Sequence, residues 1–257
     1  MAVKQDRMPP LLRAFALLES IAGADAPTTL REIAATSALP KPTVHRMLAM
    51  LERAGLLMRD ADGRMSPGPR LARLSLDAML NASVRAPRHA ILTALARKVG
   101  ETVNLTMLDG SEVVYLDRVE SAWPLRMALQ PGSRVPLHCT ASGKLLLATL
   151  PAARRRRLID SLDLKRFTER TLVDARTLDA ELARIRRDGF ATDNEEYLAG
   201  LVCVAVPVLI TGKRTAACVA VHAPVARMPL DAAVGHLPAL RRAAQAIART
   251  FDVPQRQ

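Results

Sequence analysis

Apolar residues recur at helical spacing through the first fifty positions of the chain, with polar residues between them. The spacing predicts helices over Leu11–Ala22, Leu30–Thr36 and Lys41–Ala54. Gly55 stands where a left-handed residue commonly ends a helix. The third helix repeats its apolar residues at i, i+3, i+4 and i+7, which forms one stripe to be buried: Val44, Met47, Leu48 and Leu51. These positions predict a small helical core that leaves one polar helix face in water.

The residues after the third helix indicate a small β-hairpin. Leu56–Arg59 and Arg64–Ser66 flank Asp62 and Gly63, and an Asp-Gly pair favours a tight two-residue turn. Two short helices separated by about four residues and followed by a hairpin are typical of a winged helix-turn-helix, whose second helix enters the major groove of B-DNA. An ordinary helical hairpin with a solvated polar face is the alternative to this interpretation.

Basic and polar side chains stand at the two places where such a domain contacts DNA. The first turn and a half of the helix that begins at Lys41 can reach base edges, and its positive N-terminus favours phosphate. The hairpin tip suits contact with the DNA backbone or the minor groove. The candidate DNA-binding residues are Lys41, Thr43, His45 and Arg46 in the helix and Arg59 and Arg64 in the hairpin.

The rest of the chain mixes helical and strand periodicities. Helices are predicted over Leu71–Ser83, from Pro87 to Val99, and over Ser142–Leu150, Thr177–Asp188 and Leu230–Thr250. Strands are predicted over Thr102–Leu108, Glu112–Val119, Leu125–Leu129, Cys203–Ile210 and Thr215–His222. Helices interleaved with antiparallel strands predict an α+β fold. The resulting organisation is a flexible tail over 1–8, a winged helix-turn-helix over 9–70, a linker helix over 71–86 and a second domain over 87–257.

Composition narrows the class of partner but does not locate a site. The 257 residues are 49% hydrophobic and 24% charged, which excludes a disordered chain, a collagen-like fibre and a long coiled coil. The net charge of +12 favours a polyanion partner, with nucleic acid first. Residues 1–86 carry 12 basic and 8 acidic side chains and residues 87–257 carry 25 and 17, so the positive excess is spread along the chain.

Cysteine and hydropathy patterns indicate a cytoplasmic protein. Cys139, Cys203 and Cys218 are an odd number with no CxxC spacing, so reduced thiols are expected instead of disulfides or a zinc site. Arg13 interrupts the apolar residues near the N-terminus, which predicts an amphipathic helix instead of a signal peptide. The longest apolar run, Leu201–Ile210, is too short to span a bilayer, so no membrane segment is expected.

The helix-turn-helix segment is similar to that of a known family. It contains Leu39-Pro40-Lys41-Pro42-Thr43-Val44-His45-Arg46. This stretch resembles the helix-turn-helix of the IclR family of bacterial transcriptional regulators, in which Leu-Pro-Lys-Ser-Thr-Val-His-Arg is typical. Pro42 stands where a Ser is common, which removes one phosphate contact but suits the first helical turn. The resemblance extends from about Met8 to Thr250.

The resemblance implies an effector site in the second half of the chain. It implies a GAF-like α/β effector-binding domain, dimers joined through the N-terminal domains and tetramers formed through the C-terminal ones. Three segments carry it: Pro136–Lys144; Gly189–Tyr197 with Gly200 and Cys203–Pro207; and Cys218–Pro224. Carried onto this sequence, the family's ligand-contacting positions are Ala141, Ser142, Asp193, Cys203, Ala220 and His222.

The family's effector domain binds small organic acids, and two of these positions indicate which kind of acid this chain would bind. Relatives that bind glyoxylate or pyruvate have serines where this chain has Ala220 and His222. A larger or aromatic carboxylate is therefore expected instead of a short 2-oxo acid. Backbone N–H groups of residues 141–143, at a helix start, would suit such a carboxylate. Asp193 is interpreted as a functional loop carboxylate; Cys203, Ala220 and His222 are equally compatible with a core role, and Ser142 with a helix N-cap.

Enzyme motifs do not offer a better explanation. The sequence has no phosphate loop, GxSxG, HExxH, SxxK or GxGxxG motif, and its histidines are dispersed, so no cofactor or metal site is predicted. A nucleophilic Cys203 with His222 as its base is the remaining enzyme alternative. Arg154–Arg157 is interpreted as a solvated helix face.

The sequence therefore predicts a regulator and not an enzyme. It is expected to bind a pseudo-palindromic double-stranded DNA operator as a homodimer or homotetramer and to respond to a small organic acid. The competing hypothesis is an architectural DNA-binding protein whose second domain serves oligomerisation only.

Overall fold

The computed structural model describes residues 8–24, 26–37, 39–121, 129–210 and 214–251. The chain divides into two compact units, Met1–Met79 and Leu80–Gln257. The predicted flexible tail and the predicted strand Leu125–Leu129 lie almost entirely outside the described residues. Within the described ranges, none of the helices combines the length and the apolar character that crossing a bilayer requires.

The first unit is a helical domain with a two-stranded hairpin. Its elements are α1 (Pro10–Gly23), α2 (Leu30–Thr36), α3 (Lys41–Arg53), β1 (Leu57–Arg59), β2 (Met65–Pro67) and α4 (Pro69–Leu80). A capping box fixes the start of α2, because the Glu32 backbone N–H donates to Thr29 Oγ1 at 3.3 Å and the Thr29 N–H donates to Glu32 Oε2 at 2.7 Å. The elements confirm the predicted winged helix-turn-helix order.

The hairpin turn is longer than the predicted two-residue turn. The Asp60 N–H donates to Arg64 O at 3.0 Å, which leaves three residues, 61–63, in the loop. Gly63 has a φ of +75°, the left-handed conformation that closes a three-residue hairpin loop. The Asp60 carboxylate also accepts the backbone N–H groups of Asp62 and Arg64, at 3.1 and 2.8 Å. The carboxylate therefore orders the turn from within.

The core of the first unit lies between α1, α2, α3 and the hairpin. Its buried members are Leu17, Leu18, Ile21, Ile33, Leu39, Val44, Leu48, Leu51, Leu57 and Met65. The α3 stripe predicted from spacing is confirmed in Val44, Leu48 and Leu51, whereas Met47 is only partly buried. Burying this stripe leaves the opposite face of α3 exposed.

The predicted linker helix Leu71–Ser83 is two helices in the structure. α4 ends at Leu80 and α5 runs over Ala82–Val99. Asn81 separates them, because its side-chain oxygen accepts the Ser83 N–H at 3.0 Å as an N-cap. The prediction that Pro87 starts a helix was wrong, since α5 runs through it. A proline there removes one helix hydrogen bond, which the packing of α5 on the sheet offsets.

The second unit is built on a six-stranded antiparallel sheet. Its strands are β3 (Thr102–Asp109), β4 (Glu112–Val119), β5 (Arg134–Pro136), β6 (Ala191–Asn194), β7 (Leu201–Ile210) and β8 (Arg214–Pro224). They lie in the order β5-β4-β3-β8-β7-β6. The remaining helices are α6 (Ala141–Thr149), α7 (Ala152–Ser161), α8 (Ala175–Asp188), α9 (Leu230–Gly235) and α10 (Leu237–Arg249). This arrangement confirms the predicted α+β fold.

Helices cover the sheet, and the face under α6 carries the candidate effector site. α6 and α8 pack together against a cluster that includes Ala191, Ala205, Cys218 and Ala220 from the sheet. α5 and α10 contact each other and other residues of the sheet. α7 presents Arg154, Arg156 and Arg157 to solvent as predicted, whereas Arg155 is half-buried and its Nη1 donates to Leu150 O at 3.0 Å. The start of α6 therefore lies against the middle of the sheet.

Candidate DNA-binding surface and effector site

The exposed face of α3 carries three of the predicted DNA contacts. Lys41, His45 and Arg46 are exposed, and Thr43 is half-buried beside them. Basic groups in the first half of a helix add to the positive potential of its N-terminus. The face therefore offers hydrogen-bond donors to an anionic partner.

Both predicted arginines of the hairpin already have partners within the domain. Arg59 donates to Glu52 on α3, with Nη2–Oε2 at 3.1 Å and Nε–Oε1 at 3.3 Å. This pair raises the pKa of Arg59 and lowers the pKa of Glu52. Arg64 Nη1 donates to Pro27 O at 3.3 Å. The Arg59–Glu52 pair thus holds the hairpin beside α3, and each arginine keeps further N–H groups that can donate to DNA.

In the second unit, five of the six predicted effector positions line one small cavity, which we call the inner cavity. These are Ala141, Ser142, Asp193, Cys203 and His222, and the other lining residues are Asn104, Tyr115, Val135, Thr140, Tyr197 and Leu201. Ala220 belongs to the core cluster on the same sheet face and does not line the cavity. The inner cavity measures about 20 Å³, which is room for about one water molecule.

Strand register brings three of these residues together. Asp193 on β6 is directly opposite Cys203 on β7, and Cys203 is directly opposite His222 on β8. Opposite residues in neighbouring strands point to the same face, so this row faces the start of α6. The prediction that Asp193 stands on a loop was wrong, because it pairs within the sheet at the edge strand. The strand was missed because its sequence, Ala-Thr-Asp-Asn, lacks β-branched and aromatic alternation.

His222 is a neutral hydrogen-bonding group. Its Nδ1 lies 2.9 Å from Asn104 Nδ2, and Asn104 Oδ1 accepts a hydrogen bond from Arg118 Nη1 at 3.4 Å. The amide therefore donates to Nδ1, which places the imidazole proton on Nε2. Burial, together with the charge of Arg118, lowers the pKa of His222 to about 3. The ring offers one N–H donor at neutral pH.

Asp193 is 3% exposed and is held by the backbone that follows it. Its Oδ1 accepts the Glu196 N–H at 2.7 Å and the Tyr197 N–H at 3.4 Å. Burial raises the pKa of Asp193 to about 7, although these backbone hydrogen bonds act in the opposite direction. The carboxyl group can therefore be protonated near neutral pH.

A buried lysine on α6 forms an ion pair with the segment that follows Asp193. Lys144 is 1% exposed, and its Nζ lies 2.5 Å from Glu196 Oε1 and 3.6 Å from Glu181 Oε1. Asp193, the neighbouring negative charge of Glu196 and the positive charge of Lys144 thus belong to one buried cluster. Sequence reasoning did not single out Lys144 or Glu196, although both lie in segments that carried the family resemblance.

The N-cap of α6 is not Ser142, the residue that the sequence offered for this role. Thr140 is the N-cap, and its Oγ1 accepts the Gly143 N–H at 3.2 Å, so Ser142 is free of that role. The Gly143 N–H is consequently not available to a carboxylate, which corrects the expectation for residues 141–143. A Cβ at Gly143 would lie 2.3 Å from Leu137 O. Only glycine allows α6 to approach this closely.

Comparison with known proteins assigns both units. A family model for the IclR helix-turn-helix domain matches residues 10–61, and one for the bacterial transcriptional regulator IclR C-terminal domain matches residues 77–249. The chain belongs to the IclR family. Members of this family are transcriptional regulators with a DNA-binding helix-turn-helix domain.

Relatives match almost the whole length of this IclR-family chain. The "Probable transcriptional regulator SauR" of Cupriavidus necator is 50% identical over 93% of the chain and 96% of its own length. The crystal structure of Thermotoga maritima IclR aligns with a TM-score of 0.63 and 30% identity, covering 94% of this chain and 98% of that one. An IclR homologue of Microbacterium hydrocarbonoxydans, solved in complex with 4-hydroxybenzoate, aligns with a TM-score of 0.61 and 26% identity, covering 95% and 99%.

The family assignment and the site chemistry both argue against the enzyme alternative. The relatives are regulators and not enzymes. Burial raises the pKa of the Cys203 thiol and lowers that of His222, so both groups are neutral and do not form a thiolate–imidazolium pair. Among the described residues, no group of histidine, cysteine, aspartate or glutamate side chains is arranged to hold a metal ion.

Proposed function

We propose that this IclR-family regulator binds a pseudo-palindromic operator as a homodimer or homotetramer and that a small organic carboxylate tunes this binding. The observation that carries the effector half is the convergence of Ala141, Ser142, Asp193, Cys203 and His222 on the inner cavity. These residues come from α6 and three different strands, so their meeting is a property of the folded domain. Because the proposed operator is DNA, the regulator is also proposed to act in the cytoplasm.

The DNA half rests on the exposed face of α3. Lys41, His45 and Arg46 are placed to meet the major groove, where an α-helix fits and base edges are distinguishable. Thr43 stands at the margin of that face, and Arg59 and Arg64 suit phosphate contact beside it. Two copies would then read half-sites about one helical turn apart.

The effector is proposed to be a carboxylate because of the donors around the cavity. The His222 Nε2–H, the Ser142 hydroxyl and a protonated Asp193 carboxyl group can each donate to a carboxylate oxygen. His222 stands where relatives that bind short 2-oxo acids have a serine, so a larger acid is favoured. The 4-hydroxybenzoate bound to the Microbacterium homologue supports an aromatic acid as one candidate.

Coupling between effector and operator requires a difference in affinity between two arrangements of the protein. A ligand shifts such an equilibrium only by the ratio of its affinities for the two states. We assign the connection to α4 and the start of α5, which join the two units in the chain. In a dimer this connection would set the spacing of the two α3 helices.

The test pairs effector binding with DNA binding. A duplex selected from a random library by the full-length protein supplies the operator, and fluorescence anisotropy measures its affinity in the presence of benzoate, 4-hydroxybenzoate, pyruvate or glyoxylate. Thermal denaturation with the same acids reports binding independently. We expect at least one aromatic acid to raise the melting temperature and to change operator affinity.

A variant that blocks the inner cavity controls for nonspecific effects of the acids. Ser142→Val replaces the hydroxyl with a methyl group and adds a second methyl, so it removes the donor and fills the inner cavity; it is expected to abolish both responses, whereas the exposed Ser161→Val is expected to retain them. If no acid shifts the melting temperature while operator binding is intact, the effector half fails and the architectural hypothesis is favoured.

A further inference from the structure

A second, larger cavity adjoins the inner one, and we call it the outer cavity. It measures about 320 Å³. Its lining residues are Glu101, Thr102, Ser121, Leu198, Ala199, Gly200, Leu201, His222, Pro224 and Arg227. Small-molecule sites typically measure about 300–1,000 Å³, so the outer cavity reaches the size of a ligand site. The inner cavity, at about 20 Å³, does not.

The two cavities share a wall. His222 and Leu201 line both of them. Since Asn104 donates to His222 Nδ1, the Nε2–H is the edge of the ring left for a ligand. A ligand in the outer cavity can therefore place its polar head at His222, next to the residues of the inner cavity.

The wall of the outer cavity supplies no uncompensated charge. Glu101 and Arg227 are its charged members, and they neutralise each other through two contacts, Nε–Oε1 at 2.6 Å and Nη2–Oε2 at 2.9 Å. The Thr102 Oγ1 accepts the Ser121 N–H at 3.0 Å, so these two residues are also engaged with each other. Most of the remaining surface is apolar, from Leu198 through Leu201 and from Pro224. Such a wall favours an apolar ligand group.

We infer that the outer cavity holds the apolar body of the effector, and that the effector is a monocarboxylate with a body of several carbons or one ring. This rests on the proposed function, since it names the class of ligand for the same site. The acid head contacts the Nε2–H of His222 and the adjoining polar groups, and the body lies against Leu198, Ala199 and Pro224. A dicarboxylate would place its second charge on the apolar wall and is therefore expected to bind more weakly than a monocarboxylate of the same length.

A homologous series of acids tests the chemistry. The affinities of acetate, butanoate, hexanoate and octanoate for the full-length protein are measured by isothermal titration calorimetry, together with those of benzoate and of adipate, the six-carbon dicarboxylate. Each buried methylene is expected to improve affinity about fourfold until the cavity is full. Hexanoate is expected to bind at least tenfold more tightly than adipate. Affinity that does not depend on length, or an adipate affinity equal to that of hexanoate, would overturn the inference.

Two substitutions test the location. Ser121→Leu and Ala199→Leu each add apolar volume to the outer cavity from a different segment, so one remains informative if the other does not fold. Each is expected to weaken hexanoate and benzoate binding at least tenfold and to leave acetate unchanged. Ser161→Leu, the same change at an exposed position on α7, is the control and is expected to leave every affinity unchanged.

The outcomes separate this inference from the proposed function. If short and long acids bind equally and both cavity variants leave them unchanged, an acid effector stands and the outer cavity is not its site. If no acid binds, the proposed effector response fails and this inference fails with it.

Discussion

The carboxyl group of Asp193 is placed to couple effector binding to pH. Its pKa is raised to about 7 by burial, with Glu196 adding a negative charge nearby and Lys144 a positive one. The protonated group can donate to a ligand carboxylate, whereas the ionised group repels it. We therefore expect effector affinity to fall as pH rises above about 7, approaching tenfold per pH unit for a single proton.

The variant Asp193→Asn isolates this effect. An amide keeps an oxygen for the Glu196 and Tyr197 N–H groups and a donor for the ligand, but it does not titrate. Calorimetric titrations with benzoate at pH 6, 7 and 8 are expected to show the pH dependence in the parent protein and none in the variant. The exposed Asp163→Asn is the control. A variant that retains the parent's profile would assign the titration to another group.

Lys144 is expected to be essential for the stability of the second unit. Its removal in Lys144→Met leaves the buried Glu196 carboxylate without its nearest cation, and breaking a buried ion pair from one side costs about 3–5 kcal/mol. Urea denaturation measures the loss of the free energy of unfolding. Arg157→Met, at an exposed position on α7, is expected to cost less than about 0.5 kcal/mol.

A double variant separates charge from packing at Lys144. Lys144→Met with Glu196→Gln removes both charges, so it is expected to be more stable than Lys144→Met alone. Equal stability of the single and double variants would show that the unpaired charge of Glu196 is not what destabilises Lys144→Met.

The close approach of α6 to Leu137 depends on Gly143. A Cβ there would lie 2.3 Å from Leu137 O and 2.5 Å from Leu137 Cα, both backbone atoms that cannot rotate away. We expect Gly143→Ala to destabilise the second unit by about 1–3 kcal/mol and to weaken effector binding, because α6 carries Ala141 and Ser142. Gly235→Ala, where a Cβ meets nothing within 4 Å, is the matched control. Equal melting temperatures for both variants would contradict a close contact at α6.

The elements that could be predicted from the sequence are those with a pattern of their own. α2 has its capping box, α3 has its apolar stripe, β3 alternates apolar and polar residues, and β4 contains an apolar run, so each was placed within a residue or two. β5 and β6 have three and four residues and little apolar alternation, because they lie at the sheet edges and are defined by their neighbours. The predicted helix Leu230–Thr250 is interrupted at His236, where α9 gives way to α10 with Pro238 in its first turn.

The same distinction explains what the sequence revealed of the candidate site. The family resemblance named five of the residues that line the inner cavity, but Asn104, Tyr115 and Tyr197 were not named. Asn104 reaches the site only through the pairing of β3 with β8, a contact between residues more than a hundred positions apart in the chain. Neither cavity could be foreseen, since each is formed by elements from several parts of the sequence.

Arg46 is expected to contribute to DNA binding and not to the stability of the fold. It is exposed on α3, so Arg46→Ala is expected to leave the melting temperature unchanged. Loss of one basic contact typically costs about 1–3 kcal/mol, which corresponds to about five- to more than a hundredfold in operator affinity. If the contact is to phosphate, the slope of log affinity against log salt falls by about 0.9. An unchanged footprint on the selected duplex would refute the assignment of α3 as the recognition helix.

Coupling between the two sites has a consequence that can be measured from either end. If an acid changes operator affinity by some factor, the operator must change the affinity for that acid by the same factor, because both describe one thermodynamic cycle. We therefore expect a calorimetric titration of benzoate into the protein–duplex complex to differ from the titration into free protein by the factor found by anisotropy. In Arg46→Ala, at duplex concentrations too low for the variant to bind, the benzoate affinity is expected to equal that of free parent protein. Unequal factors in the parent protein would mean that the acid and the duplex are not linked through one equilibrium, for example because the number of bound copies changes between the two measurements.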